Sequence, residues 1–366
     1  MPNLQLMNIG KSYKGGMKDT SPLFTLQPVN LTIEEGEFFA LLGPSGCGKT
    51  TLLKLIAGLL HADQGEIIFG SENVSALPAE KRGFGMVFQQ PLLFPHMTAQ
   101  ENVAFGLKMQ GIRRQERLHQ AEQILEGVGL KGYGPRYPSA MSGGQLQRVS
   151  LARAIVSTPK LLLMDEPFSA LDPGLRDEMR ELVKYIHSQY KTTIIFVTHD
   201  REEAFLLADR MAVMMQGSIR QIGSPQDIYE NPQSPEIAFF MGAKNVWEGE
   251  TRDGHFISGG VKVKLGPTTD ELNGRGWLVI RPESVHLSEA DFDLRTDIAK
   301  DKYSRSLQGT VQEISYRQGL YHLKIGFDTQ DLFMIEKPGF RTPPKPGDAV
   351  SVQFDIRQAY FIPHAA

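Results

Sequence analysis

An α/β fold with a largely parallel central sheet, followed by a small all-β barrel, is what this chain of 366 residues predicts. Three observations carry the prediction. Short, nearly unbroken apolar runs alternate with helical patterns over the first two-thirds of the sequence, as expected of strands buried on both faces. One of those runs, Phe38-Phe39-Ala40-Leu41-Leu42, leads directly into the loop Gly43-Pro44-Ser45-Gly46-Cys47-Gly48-Lys49-Thr50 and then into a helical stretch. Towards the C-terminus glycine and proline punctuate short β-rich runs, the pattern of a small barrel.

Taken in order, residues 4–13 and 24–33 predict an antiparallel edge sheet, with the Gly- and Pro-containing stretch between them as an exposed loop. Residues 38–42 form the first core strand, and 51–57 continue as a helix. Residues 99–130 are charged and mostly helical in pattern, part of a helical subdomain at about 90–157. Its last helix, 145–157, carries apolar Leu146, Val149, Leu151, Ala152 and Ile155. Core strands follow at 161–165, 193–198 and 211–215. The barrel strands are expected at 261–265, 277–280, 320–325 and 349–354, which divides the chain into domains 1–238 and 239–366.

Composition excludes several classes. Hydrophobic content of 41% and charged content of 22% are those of an ordinary soluble globular protein. A net charge of −3 gives no reason to expect a polyanion partner. The single cysteine, Cys47, cannot form an intrachain disulfide and fits a reducing compartment. The N-terminal residues lack the charged and then apolar regions of a secretory signal. No apolar run approaches the roughly 18–20 residues of a spanning helix, so a membrane role must be borrowed from another polypeptide.

The loop at 43–50 matches G-x-x-x-x-G-K-[ST], the phosphate-binding P-loop. Its glycines let successive N–H groups of Gly43, Pro44's neighbours Ser45, Gly46, Cys47 and Gly48 turn inward, and the positive end of the following helix adds to the field. Lys49 can reach the β- and γ-phosphates, Thr50 can offer its hydroxyl to Mg²⁺, and Thr51 completes the phosphate-binding set. The strand Leu161-Leu162-Leu163-Met164 ends in Asp165-Glu166. There Asp165 can hold Mg²⁺ and Glu166, facing the other way, can polarise a water. A second anion receptor is Met141-Ser142-Gly143-Gly144-Gln145, where N-cap chemistry and two glycines leave N–H groups open at a helix start.

These residues together resemble the ATP-binding subunit of ABC transporters. Residues 43–50 match the Walker A motif and 161–166 Walker B. Ser142, Gly143, Gly144 and Gln145 match the family's signature, with Met141 in place of the usual leucine. Gln89 falls at the Q-loop position, beside a second candidate amide, Gln90. Ser169-Ala170-Leu171-Asp172 matches the D-loop, and His199 the switch histidine. Tyr13 falls where the family stacks an aromatic on adenine. The segment Leu278-Val279-Ile280-Arg281-Pro282-Glu283 resembles the oligonucleotide-fold-like (TOBE-like) tail of maltose-, polyamine-, sulfate- and ferric-iron-type importer ATPases.

The resemblance implies a P-loop nucleotide hydrolase that splits ATP with Mg²⁺ held by Thr50, Gln89 and Asp165. Glu166, His199, Lys49 and Gln89 are the implied catalytic set. It implies a head-to-tail dimer in which Ser142, Gly143 and Gly144 of one copy face the γ-phosphate held by the other. It further implies integral-membrane permease subunits, an extracytoplasmic solute-binding protein acting indirectly, and a peripheral place on the cytoplasmic face of the membrane. The apolar segment Leu92-Leu93-Phe94 is expected to join a groove for the permease, with Phe94 as its test residue. The cargo expected is a small polar or ionic solute. The alternative is a soluble ABC ATPase acting on nucleic acid or ribosomes. Two features count against it: the interval from Lys49 to Ser142 shows no sustained heptads, and the chain holds one ATPase core. No dense aromatic and basic surface in the tail suggests nucleic acid.

Overall fold

A computed structural model describes residues 3–14, 22–259, 261–265, 274–288, 304–317, 319–327, 332–338 and 343–364. The expected loop between the first two strands falls largely outside these residues. The chain divides into two compact units, Met1–Gln226 and Asp227–Ala366.

In the first unit, β1 (Leu4–Lys14) and β2 (Pro22–Ile33) pair antiparallel. After β3 (Phe38–Leu42) and α1 (Lys49–Ala57), β4 (Gln64–Phe69) and β5 (Glu72–Asn73) complete that edge sheet in the order β2-β1-β4-β5. A short α2 (Ala79–Arg82) precedes β6 (Phe84–Val87). The helical insert comprises α3 (Ala99–Val103), α4 (Phe105–Met109), α5 (Arg114–Gly127) and α6 (Gly143–Ile155). Then come β7 (Leu161–Asp165), α7 (Pro173–Tyr190), β8 (Thr193–Thr198), α8 (Arg201–Leu207), β9 (Arg210–Met215) and β10 (Ser218–Gly223). The central sheet runs β10-β9-β3-β8-β7-β6, parallel except for β10.

Every residue of β3, β7 and β8 is buried. That accounts for their unbroken apolar sequences, because both faces of the sheet are covered. The register also keeps the strand ends level. Leu42 pairs with Thr198, Asp165 with Val197, and Val87 with Met164. The residues following those ends are Gly43, His199, Glu166 and Phe88-Gln89. The candidate chemistry therefore leaves the sheet at its carboxyl edge, the place where ligands bind in open α/β sheets.

Helix bounds differ slightly from expectation. Helix α1 begins at Lys49 because Gly48, with φ 107°, is its N-cap. Helix α6 begins at Gly143 because Ser142 caps it, so both signature glycines lie in its first turn.

In the second unit, α9 (Pro225–Glu230) straddles the division and α10 (Pro235–Phe240) follows. Then β11 (Asn245–Arg252), β12 (His255–Ser258), β13 (Val261–Lys264) and β14 (Gly274–Ile280) lead to β15 (Val285–Ser288). The remaining strands are β16 (Ser304–Arg317), β17 (Leu320–Gly326), β18 (Leu332–Pro338), β19 (Ala349–Asp355) and β20 (Ala359–Pro363). They form two antiparallel sheets, β13-β12-β11-β14-β20 and β15-β19-β16-β17-β18. Trp247, Phe256 and Leu278 of one sheet and Val311, Leu323 and Val352 of the other share one core, which gives the barrel-like unit. The unit begins before the expected boundary at 238/239 for a packing reason. Ala238 of α10 clusters with Ala243, Val279 and Ile362, so this helix belongs with the β-rich unit.

Candidate functional site

The P-loop is shaped by close backbone approach. A Cβ on Gly43 would lie 2.2 Å from the Met214 carbonyl oxygen, so no larger residue fits there. At Gly48 the left-handed φ and the Phe24 ring, 2.8 Å from a built Cβ, impose the same requirement. Lys49 is buried, and its Nζ donates to the carbonyls of Gly43 (2.7 Å) and Pro44 (3.0 Å). Cys47 is buried beside it, with Sγ 3.8 Å from Nζ. Burial pushes the Cys47 thiol up, against the opposing pull of Lys49.

A cleft of about 350 Å³ opens over this loop, lined by Tyr13, Phe24, Ser45, Gly46, Gly48, Lys49, Thr50, Thr51 and Glu166. Tyr13 and Phe24 are register partners on β1 and β2, with ring centroids 6.3 Å apart. Phe24 escaped the sequence reading, since only the register of two distant strands places it beside Tyr13.

Thr50 and Asp165 meet at the floor, where Thr50 Oγ1 donates to Asp165 Oδ1 at 2.8 Å. Burial raises the Asp165 carboxyl above its usual range; the Thr50 hydroxyl, Lys54 and Lys49 act against the rise and Glu166 adds to it. A desolvated carboxylate next to a hydroxyl is the oxygen-donor pairing that suits a hard divalent cation.

Glu166 collects the remaining groups. Its backbone sits at φ 46°, a left-handed conformation uncommon outside glycine, and its N–H donates to Val197 O at 3.1 Å. The turn this makes at the end of β7 brings the Glu166 carboxylate to both flanking loops. Gln89 Nε2 and His199 Nδ1 each lie 3.4 Å from Glu166 Oε2. Of the two adjacent glutamines, Gln89 is therefore the one that faces Glu166. Gln89 Nε2 also donates to Ser169 Oγ (3.2 Å), and Ser169 Oγ donates in turn to the Glu166 carbonyl (3.0 Å). Ser169 was seen in the sequence only as part of a motif; its bonds come from long-range packing.

The signature residues do not line this cleft. Ser142 Oγ accepts from Gln145 N–H, and Gln145 Oε1 accepts from Ser142 N–H at 3.1 Å, a reciprocal capping box. The Gln145 side chain also reaches Tyr133 Oη at 3.4 Å, so it braces the helix start. Ser142 and Gly143 are exposed and Gly144 is buried. The P-loop, Glu166, Gln89 and His199 thus gather in one place, and the signature presents a separate, capped helix tip.

The site that emerges is a glycine-rich loop at a helix start, a buried hydroxyl–carboxylate pair beneath it and a carboxylate flanked by an amide and an imidazole. Comparison with known proteins agrees with it. A family model described as ABC transporter matches residues 26–169, and one described as TOBE domain matches 278–362. The chain is 39% identical to the spermidine/putrescine import ATP-binding protein PotA of Pseudomonas fluorescens, covering 95% of each chain. It is 43% identical to the sulfate/thiosulfate import ATP-binding protein CysA 1 of Agrobacterium fabrum, covering 82% of this chain and 87% of the relative. With the Fe(3+) ions import ATP-binding protein FbpC of Escherichia coli it shares 38% identity, over 91% and 89%. A solved dimeric ATP-binding cassette in a post-hydrolysis state with ADP and Pi superposes with a TM-score of 0.55. That cassette is 31% identical and covers 61% of this chain and 98% of its own.

Proposed function

Because this chain belongs to the ABC transporter family, as an importer's ATP-binding subunit whose ATPase activity is coupled to transport, we propose that its strand-edge cluster binds and splits ATP between two copies of the chain. The observation that carries this reading is the meeting of Glu166 with Gln89 and His199 beside the P-loop.

Tyr13, with Phe24 at its side, offers the aromatic face for adenine. The backbone amides of the P-loop, with Lys49, Thr50 and Thr51, take the phosphates. To engage them, Lys49 exchanges its bonds to the Gly43 and Pro44 carbonyls for phosphate oxygens. Thr50, Asp165 and Gln89 would hold Mg²⁺, which would supply neutralisation of phosphate charge. Glu166 orients the attacking water and accepts its proton, while His199 holds the carboxylate and the water in register.

Ser142, Gly143 and Gly144 lie away from their own cleft, which supports a head-to-tail arrangement in which they meet the nucleotide of a second copy. Two similar solved cassettes are dimers. The importer relatives support permease subunits as the membrane partner; no helix among the described residues is long and apolar enough to cross a bilayer. An external solute-binding protein acts through them, and the chain sits on the cytoplasmic face. The relatives' names favour the importer over action on ribosomes or nucleic acid. They also span a polyamine, an oxyanion and a ferric ion at 38–43% identity. Such unlike cargoes on similar subunits support selection by the permease and binding protein, with a small polar or ionic solute as the class.

Glu166→Gln tests the reading. Turnover should fall about 10²–10⁴-fold, the usual worth of a general base. ATP binding should persist, and light scattering should show an ATP-dependent dimer. Near-normal hydrolysis by this variant removes Glu166 from its role.

A further inference from the structure

We propose that Gln147 is a positioning residue that couples the two nucleotide sites of the dimer. It ties the loops carrying Glu166 and Gln89 to the helix whose tip faces the partner's nucleotide. This inference rests on the dimer reading above.

Gln147 lies on α6, little more than a turn beyond Ser142, and is 2% exposed. Its Nε2 donates to the Pro167 carbonyl at 3.1 Å and reaches the Phe88 carbonyl at 3.4 Å. Pro167 follows Glu166 directly, and Phe88 directly precedes Gln89. Both carbonyls stand just past the strand ends, where the β6–β7 pairing has stopped at Val87 and Met164. One amide therefore bridges two catalytic loops that no ladder hydrogen bond joins at that point. A buried amide in an otherwise close-packed face costs desolvation that Leu or Met would avoid, and it is offset only by these two acceptors.

The other end of the link is rigid. The capping box fixes the first turn of α6, and Gly144 packs so closely that a Cβ there would meet Leu175 Cδ1 at 3.1 Å. A displacement of the helix tip, where Ser142, Gly143 and Gly144 engage the partner's γ-phosphate, moves Gln147 as part of the same body. Occupancy of one site thereby sets the spacing of Glu166 and Gln89 in the other.

Gln147→Met keeps the volume and removes both donors. In the full-length protein, kcat should fall about tenfold, and the Hill coefficient for ATP should drop from about two to about one. KM, melting temperature and ATP-driven dimerisation in the Glu166→Gln background should stay near those of the parent. Unchanged kcat and cooperativity overturn the inference. So does a parallel loss of melting temperature, KM and dimerisation, which marks a role in packing alone. Should Gln147→Met fail to fold, Gln147→Glu keeps the shape and donates only when protonated. Its kcat relative to the wild type should climb as pH falls from about 8 to about 6, and a flat ratio overturns the coupling. If Glu166→Gln alone does not dimerise with ATP, the dimer reading falls and this inference with it. Normal dimerisation with unaltered Gln147→Met kinetics removes this inference alone.

Discussion

Asp165 lies buried at the end of β7, and burial is the largest cause of its raised pKa. The sign of its effect on stability follows. The folded-state value lies above 3.8, so just above that pH the native chain keeps a proton the unfolded chain has lost. Stability contributed by this group falls as pH rises from just above 3.8, as the buried carboxyl comes to lose its proton. Asp165→Asn should therefore melt higher than the wild type at neutral pH while losing hydrolysis by roughly 10²-fold or more. The excess in melting temperature should shrink on acidification towards pH 4. A variant that melts lower than its parent at pH 7 would contradict this account. Asp165 could be read from the sequence because it ends an apolar strand in a known motif. Gln147 could not, because its contribution is a pair of hydrogen bonds to carbonyls remote in sequence.

At the scale of elements, the core strands could be read from sequence because burial on both faces leaves one long apolar signature each. The loops between them could not, since their conformation depends on neighbours. The segment after Gln89 shows the difference. Phe94 was expected to face a permease groove, but it packs against Phe105 at 4.7 Å between ring centroids, with the Arg153 guanidinium 5.9 Å from its ring. Asn102 accepts from Phe94 N–H and donates to the carbonyls of Phe94, Met97 and Thr98, holding the turn together. Leu92 is the outward residue, 57% exposed and held at φ 43°. An exposed leucine in that backbone conformation is more informative than the half-buried phenylalanine. Leu92→Asp should leave ATP hydrolysis by the isolated subunit unchanged and cut transport by the assembled system about tenfold. Phe94→Asp should instead lower the melting temperature, because it places a charge against Phe105. Full transport by Leu92→Asp would exclude this residue from the permease contact.

For the whole molecule, each unit has a core cluster of its own. One core cluster of the first unit draws every member from residues before 223, including Phe39, Leu41, Leu163 and Val197. A fragment ending at Gln226 should fold cooperatively and bind ATP as the full chain does. One ending at residue 238, where composition alone puts the boundary, should melt lower and aggregate more. It retains Ala238 without Ala243, Val279 and Ile362. Calorimetry and size-exclusion chromatography of the two fragments compare them directly; equal behaviour would argue against assigning α10 to the second unit. Hydropathy changes where the strands begin, whereas the unit begins with the helices packed on them, and that offset explains why the boundary was not visible in sequence. Cys47 has a practical consequence. The chain's sole thiol is buried and burial pushes its pKa up, so it should react more slowly with labelling reagents than a cysteine introduced on the surface. A cysteine introduced at exposed Asp172 could take a spin label or dye directly, letting association of the two copies be timed in solution without first rebuilding the phosphate loop.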